Sequence, residues 1–245
     1  MLVETVLNRG WHHKGFVYEG SRSEGESLVV SVRPRKRSRG HCGRCGKAGP
    51  TYDHEPGARW FEHVPLWGWG VYLEYRMRRI ACAACGRVVV EAVPWATGKH
   101  HTTDIYRCFL ASWAKVISWQ EVSRRFHACW QTVFRSVQYV VGYGLQHRDL
   151  SGVSALGIDE LAWRKGHEYG TAVYQIDPHH QRLLWVGKDR REQSLKTFFL
   201  EREKKAEGFA GRIRVVCSDL WRAHVKVIGQ VLPQAVPVID RFHIM

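Results

Sequence analysis

The chain has 245 residues, 37 Lys and Arg against 23 Asp and Glu, a formal charge of +14 and a pI of about 9.7. With 44% hydrophobic residues and 11 tryptophans it can bury real cores, which excludes a disordered basic tail. No run of about 18 apolar residues occurs, and the opening MLVETVLNRGWHHK lacks the apolar stretch of an export signal, so a cytoplasmic, nucleoid-associated protein with no membrane partner is expected.

A cation excess of this size calls for a polyanion, nucleic acid foremost, because each neutralised phosphate releases counterions whatever the base sequence. Ten of the fourteen excess charges fall within the first 150 residues. Residues 1–26 are Gly/Ser/Glu-rich, with a short helix readable only at their start, and suggest no role. Leu28 to Val32 reads as a strand and runs into Arg33-Pro34-Arg35-Lys36-Arg37-Ser38-Arg39. Such a run suits a solvated loop as well as phosphate contacts; Arg35, Lys36 and Arg37 are the DNA-binding candidates here.

Seven cysteines without an export signal argue against disulfides, since the number is odd and four form two C-x-x-C pairs. Cys42-Gly-Arg-Cys45 and Cys82-Ala-Ala-Cys85, each followed by glycine, offer four thiolates for one tetrahedral Zn²⁺, which makes residues 27–96 a zinc-ribbon domain. A redox dithiol is the competing reading. The 36 residues between the pairs must form structure of their own; Trp60–Leu66 and Val71–Arg79 read as a hairpin around Gly68-Trp69-Gly70 that would bring the pairs together. His41, His54 and His63 read as surface or packing residues. Trp67 and Trp69 could stack on bases or pack over the zinc core.

Residues 97–150 turn helical. Ile105, Phe109, Leu110, Trp113 and Val116 recur at helical spacing, and Ser118 caps a helix over Trp119–Phe126 with Glu121 at the capping-box position. A break at His127-Ala128-Cys129 precedes a longer helix over Trp130–Leu145. This is the pattern of a helix-turn-helix, with Gln131, Thr132, Arg135 and Ser136 facing the DNA groove, although a plain helical hairpin gives the same pattern. Cys108, Cys129 and Cys217 sit in apolar patterns and read as buried.

From Ala155 the reading is β-β-β-α-β-α-β: strands Ala155–Ile158, Tyr169–Ile176, Arg182–Val186, Ile213–Cys217 and Val236–Ile239, with helices Glu192–Glu201 and Trp221–Leu232. Asp159 follows the first strand, Asp219 the fourth and Asp240 the last. That order is ribonuclease-H-like and brings the strand ends together. The whole is an α+β multidomain chain. Converging carboxylates are stable with hard cations, so Asp159 and Asp219 are expected to hold Mg²⁺ or Mn²⁺ for an in-line phosphoryl displacement. Each such aspartate can equally be a turn former or helix cap.

The ordered set of cysteine pairs, two helices, Gly157-Ile158-Asp159-Glu160, Arg164-Lys165-Gly166-His167, Leu184-Trp185-Val186-Gly187, Ser218-Asp219-Leu220-Trp221 and Asp240-Arg241-Phe242-His243 resembles the ISL3 family of bacterial insertion-sequence transposases over residues 27–245. The resemblance implies a DDE-type transposase that binds the terminal inverted repeats of its element as double-stranded DNA and moves it by metal-dependent strand cleavage and joining. Asp159 and Asp219 would be its first two catalytic acids and Asp240 an assisting residue. Family members continue past D-R-F-H to a catalytic Glu on a later helix; Glu160, Glu168 and Glu192 are not at its place. The expectation is therefore a partial catalytic domain over 151–245, truncated and with little or no activity alone, whose uncovered sheet favours homo-oligomers or mixed oligomers with a full-length transposase. The alternative is a catalytically inactive zinc-ribbon and helix-turn-helix DNA-binding protein, a repressor or remnant of transposition. A nuclease of the same fold is the third reading.

Overall fold

The computed structural model describes residues 3–11, 13–164, 168–219 and 221–240. The motif residues Lys165-Gly166-His167, Leu220 and Arg241-Phe242-His243 lie outside them. Internal contacts divide the chain into two compact units, residues 1–147 and 148–245.

The first unit opens with α1 (Val3–Gly10), β1 (Phe16–Glu24) and β2 (Ser27–Pro34). There follow β3 (Gly40–Cys42), β4 (Ala48–Gly49), β5 (Thr51–His54), β6 (Arg59–Leu66), β7 (Trp69–Tyr75), β8 (Arg78–Cys82) and β9 (Arg87–Ala92). These strands form two sheets, ordered β1-β2-β7-β6 and β4-β3-β9-β8-β5. Alternation along β2 and β7 turns Val30, Val32, Val71 and Leu73 into one core with Phe61 and Trp95. Leu7 and Tyr18 are buried in the same core, so the N-terminal residues that suggested no role are part of the first sheet's packing.

The expected hairpin forms as β6 and β7, antiparallel from Arg59↔Tyr75 to Leu66↔Trp69. Its two-residue turn is Trp67-Gly68, both at positive φ (51° and 85°), the geometry whose twist matches a hairpin. Contrary to the sequence expectation it does not join the cysteine pairs, because it belongs to the first sheet. The pairs meet through the second sheet, where β9 pairs with both β3 and β8. Trp67 is 87% exposed at the turn and packs over no zinc core.

The helices are α2 (Asp104–Trp113), α3 (Trp119–Arg125) and α4 (Trp130–His147). Thr103 Oγ1 accepts the Tyr106 N–H to start α2, and Ser118 Oγ accepts that of Glu121 to start α3. The Glu121 carboxylate binds Arg124 rather than completing a capping box. Tyr106, Leu110, Val122 and Val133 form the helical core. Of the expected stripe only Leu110 is fully buried; Tyr106 takes the inward place, and Ile105, Trp113 and Val116 are exposed. Cys108 and Cys129 are also exposed, against the sequence reading. Cys129 directly precedes α4, its carbonyl accepting from the Thr132 and Val133 N–H groups, which places it at a helix end rather than in the core.

The second unit consists of β10 (Ala155–Arg164), β11 (Glu168–Gln175), β12 (Arg182–Gly187), α5 (Glu192–Lys205), α6 (Phe209–Arg212), β13 (Val215–Ser218), α7 (Arg222–Val231) and β14 (Val236–Ile239). The sheet order is β12-β11-β10-β13-β14, antiparallel over its first three strands and parallel over its last three. Leu156, Ile158, Val216, Leu195, Phe198 and Val227 close a core between the sheet and helices α5 and α7.

Candidate metal centre and active site

The four knuckle cysteines converge. Their sulfurs lie within 4.8 Å of one another, the closest cross-pair distances being 3.9 Å for Cys42–Cys85 and 3.5 Å for Cys45–Cys82. A tetrahedral ion with Zn–S bonds of about 2.3 Å spaces its sulfurs about 3.8 Å apart, so the quartet fits a structural zinc. Gly46 (φ 72°) and Gly86 (φ 63°) take the left-handed conformation just after each pair, where a side chain would be strained. Backbone N–H groups of Cys45 and Arg44 pull the Cys42 thiol down to about 6, which favours the thiolate; hydrogen bonding with Cys45 and burial raise Cys85. His41 and His54 are exposed and His63 is buried, and among the described residues none of them joins the cluster.

The DNA-binding candidates lie on the surface. Arg35, Lys36 and Arg37 are exposed after β2, with Arg37 at φ 67°. On α4, Gln131 and Arg135 are exposed and one turn apart, and Thr132 is half-buried beside Cys129. Ser136 is fully buried and gives its hydroxyl proton to the Thr132 carbonyl, so it does not face outward.

The acidic residues follow from sheet register. β10 does not end at Ile158, as its apolar run suggested. It continues to Arg164 because antiparallel pairing with β11 continues, Asp159 facing Ala172 and Glu160 facing Thr171. What stops at Ile158 is the parallel pairing with β13, whose last registered pair is Ile158↔Ser218. Ser218 in turn registers with Ile239, and Asp240 N–H donates to the Ser218 carbonyl at 3.1 Å. Asp159, Asp219 and Asp240 therefore each follow the last registered residue of three adjacent strands, which sheet geometry spaces about 4.8 Å apart. On the middle strand, two residues before Asp219, the Cys217 thiol is pushed up by burial and then by the charges of Asp240 and Asp159.

Asp159 is exposed, with Oδ1 accepting the Glu160 N–H at 2.8 Å. Asp219 is turned toward α7: its Oδ1 accepts from Trp221 N–H at 3.3 Å and from His224 Nδ1 at 3.1 Å. Among the described residues neither Oδ2 receives a hydrogen bond, so each carboxylate keeps one hard oxygen for a cation. The three aspartates do not form a cluster as tight as the cysteines; among the described residues those four are the one group of three or more His, Cys, Asp or Glu side chains placed to hold a single ion.

Two features had no sequence signal. His224 is fully buried, its Nε2 3.4 Å from Thr171 Oγ1. Arg190 lies over the Trp221 ring at 4.3 Å and the Tyr169 ring at 4.8 Å, and donates to Glu160 at 3.1 Å. Apart from Asp219, five residues before His224, their partners come from distant strands and helices that no local spacing connects.

A family model described as a transposase matches residues 156–245, and one described as the zinc-finger of transposase IS204/IS1001/IS1096/IS1165 matches residues 38–85. Residues 38–85 and 156–245 are thus similar to the zinc finger and the transposase domain of ISL3 transposases. The transposase for insertion sequence element IS1001 of Bordetella parapertussis is 29% identical over 237 residues, 96% of this chain and 57% of that protein. The transposase for insertion sequence element IS1557 of Mycobacterium tuberculosis (strain CDC 1551 / Oshkosh) is 30% identical over 233 residues, 93% of this chain and 50% of that one. The chain thus spans about half the length of the curated relatives it matches. Within the segment matched by the transposase model fall Asp159, Asp219 and Asp240; within the segment matched by the zinc-finger model fall all four clustered cysteines. No helix among the described residues is long and apolar enough to cross a membrane.

Proposed function

We propose that the chain acts in insertion-sequence transposition by binding double-stranded DNA at the terminal inverted repeats of its element and holding divalent ions for strand cleavage and joining. The observation that carries this reading is the register that sets Asp159, Asp219 and Asp240 at one level of adjacent strands inside the transposase match. The strand order supports a ribonuclease-H-like core, and the Ser118-capped α3, three-residue turn and longer α4 support a helix-turn-helix. In this reading the four segments 1–26, 27–96, 97–150 and 151–245 are an N-terminal piece of the first sheet, the zinc ribbon, the DNA-reading helices and the catalytic domain.

Asp159 and Asp219 would hold the ions through their free oxygens, with Asp240 assisting. Bound Mg²⁺ or Mn²⁺ supplies charge neutralisation at the attacking and leaving oxygens of a phosphodiester. Zn²⁺ keeps the second sheet folded. Arg35, Lys36 and Arg37 contact phosphates, while Gln131, Thr132 and Arg135 reach base edges. Self-association, or mixed assembly with a longer transposase, would place two such units on the two ends of one element.

Band-shift titration with the element's ends and with scrambled duplex tests the DNA half. Tighter binding to the ends by at least about tenfold is expected, with Arg135→Ala relaxing that preference and Lys36→Ala weakening both duplexes alike. Equal affinity for both duplexes would contradict end recognition. The looser grouping of the aspartates favours a second reading, a DNA-binding repressor without catalysis. Asp159→Ala separates the two, since it weakens Mn²⁺ binding by the chain in the first and changes neither metal nor DNA binding in the second.

A further inference from the structure

The presentation of the Asp219 carboxylate is set by one buried side chain. We propose that His224 is a positioning residue: it fixes Oδ1 of Asp219 so that Oδ2 is left for the divalent ion. The inference rests on the metal-holding role proposed above for Asp219 and adds a residue to it.

A fully buried imidazole is costly unless its nitrogens are partnered. A carboxylate can only accept, so the 3.1 Å contact makes His224 Nδ1 the donor to Asp219 Oδ1. The other side of the ring, Nε2, rests 3.4 Å from Thr171 Oγ1 on β11. That hydroxyl donates to the Asp189 backbone carbonyl at 2.9 Å, and the Asp189 carboxylate is itself bound by Ser194 Oγ and Arg191 N–H at the start of α5. The ring is thus gripped between β11, α7 and the approach to α5. Trp221 N–H adds a second donor to the same Oδ1. With two donors on one oxygen, the carboxylate has one orientation, and its remaining oxygen is presented without the cost of ordering it when an ion arrives. A histidine that merely filled the core would have no need of this one-sided bonding.

The test measures Mn²⁺ affinity of the zinc-loaded 245-residue chain by electron paramagnetic resonance of the free ion. His224→Asn can donate from the position of Nδ1 and is expected to stay within about threefold of the parent; His224→Gln donates from the position of Nε2 and is expected to lose about tenfold or more. Both should melt with the parent protein. Equal affinities across parent, Asn and Gln, or equal losses in Asn and Gln, overturn the positioning role. Asp219→Ala is the control for the underlying reading: undiminished Mn²⁺ binding there removes Asp219 from the metal site altogether, whereas a loss there with His224→Gln unaffected removes only His224. On the unsubstituted chain, ¹⁵N resonances report the same contact without any risk to folding. The His224 Nδ1 signal should move on titration with Mg²⁺, and a signal that stays put overturns the proposal.

Discussion

Asp177 ties the start of β10 to the end of β11. Its nearly buried carboxylate accepts from Ser154 Oγ, the Ser154 and Ala155 N–H groups and Gln175 Nε2. Burial alone would raise its pKa, but these hydrogen bonds together hold it below the ordinary carboxylate value. A depressed folded value means stability that is present above the unfolded pKa of about 3.9 and is lost as pH falls through the folded one. Asp177→Asn should therefore cost the second unit about 2 kcal/mol at neutral pH, with the difference shrinking below about pH 4. Urea unfolding followed by tryptophan fluorescence checks this; a cost that does not change with pH contradicts it. Sequence showed Asp177 only as part of a turn, because its four donors lie on both sides of a 23-residue separation. The cysteine quartet was legible because each C-x-x-C pair encodes its own geometry locally. His224 was not, since nothing in a helix marks which histidine will face a carboxylate five residues earlier and a threonine 53 residues earlier.

Among the elements, the connection between α3 and α4 carries visible strain. His127 sits at φ 52° in the break between the two helices, a conformation that costs a residue with a Cβ roughly 1–2 kcal/mol. Phe126 N–H still bonds the Val122 carbonyl and Ser123 Oγ the Ala128 carbonyl, so the turn is held in place on both sides. His127→Gly should raise the stability of the first unit by about 0.5–1 kcal/mol, after allowing for the greater freedom of glycine when unfolded, and His127→Val should lower it. Chemical denaturation of the two variants measures this, and the reverse order would show that the turn does not impose that conformation. The longer helices and the strands after residue 150 were readable because periodicity is local, whereas β1, β3, β4, β5 and β9 carried no such pattern and the expected strand Val71–Arg79 is divided between β7 and β8. Strand ends were less so: β10 outran its apolar stretch, since its length is set by pairing with β11. The hairpin of β6 and β7 was recognised while its sheet was assigned wrongly, because turn chemistry fixes which strands pair within a hairpin and says nothing of the next neighbour.

For the molecule as a whole, the proposed function divides two metal chemistries between two units. Soft thiolates gathered in the first unit suit Zn²⁺, and the carboxylates proposed as ligands in the second would suit Mg²⁺ or Mn²⁺. Since binding energy of a structural zinc is folding energy, a strong chelator should lower the melting temperature of the first unit and abolish DNA binding while leaving the transition of the second unit in place. Calorimetry with and without chelator reads both transitions, and an unchanged first transition would contradict a structural zinc. The charge balance was legible from composition alone, but which acids stand at one level of adjacent strands depended on the register of three parallel strands, a property no single segment encodes. The account stands on Asp159 and Asp219 sharing divalent ions beside bound DNA. Its most direct test is anomalous diffraction from Mn²⁺-soaked crystals of the zinc-loaded chain. The predicted result is a Mn²⁺ peak about 2.1 Å from carboxylate oxygens of both Asp159 and Asp219; a peak touching neither, or separate peaks with no shared ion, would contradict it.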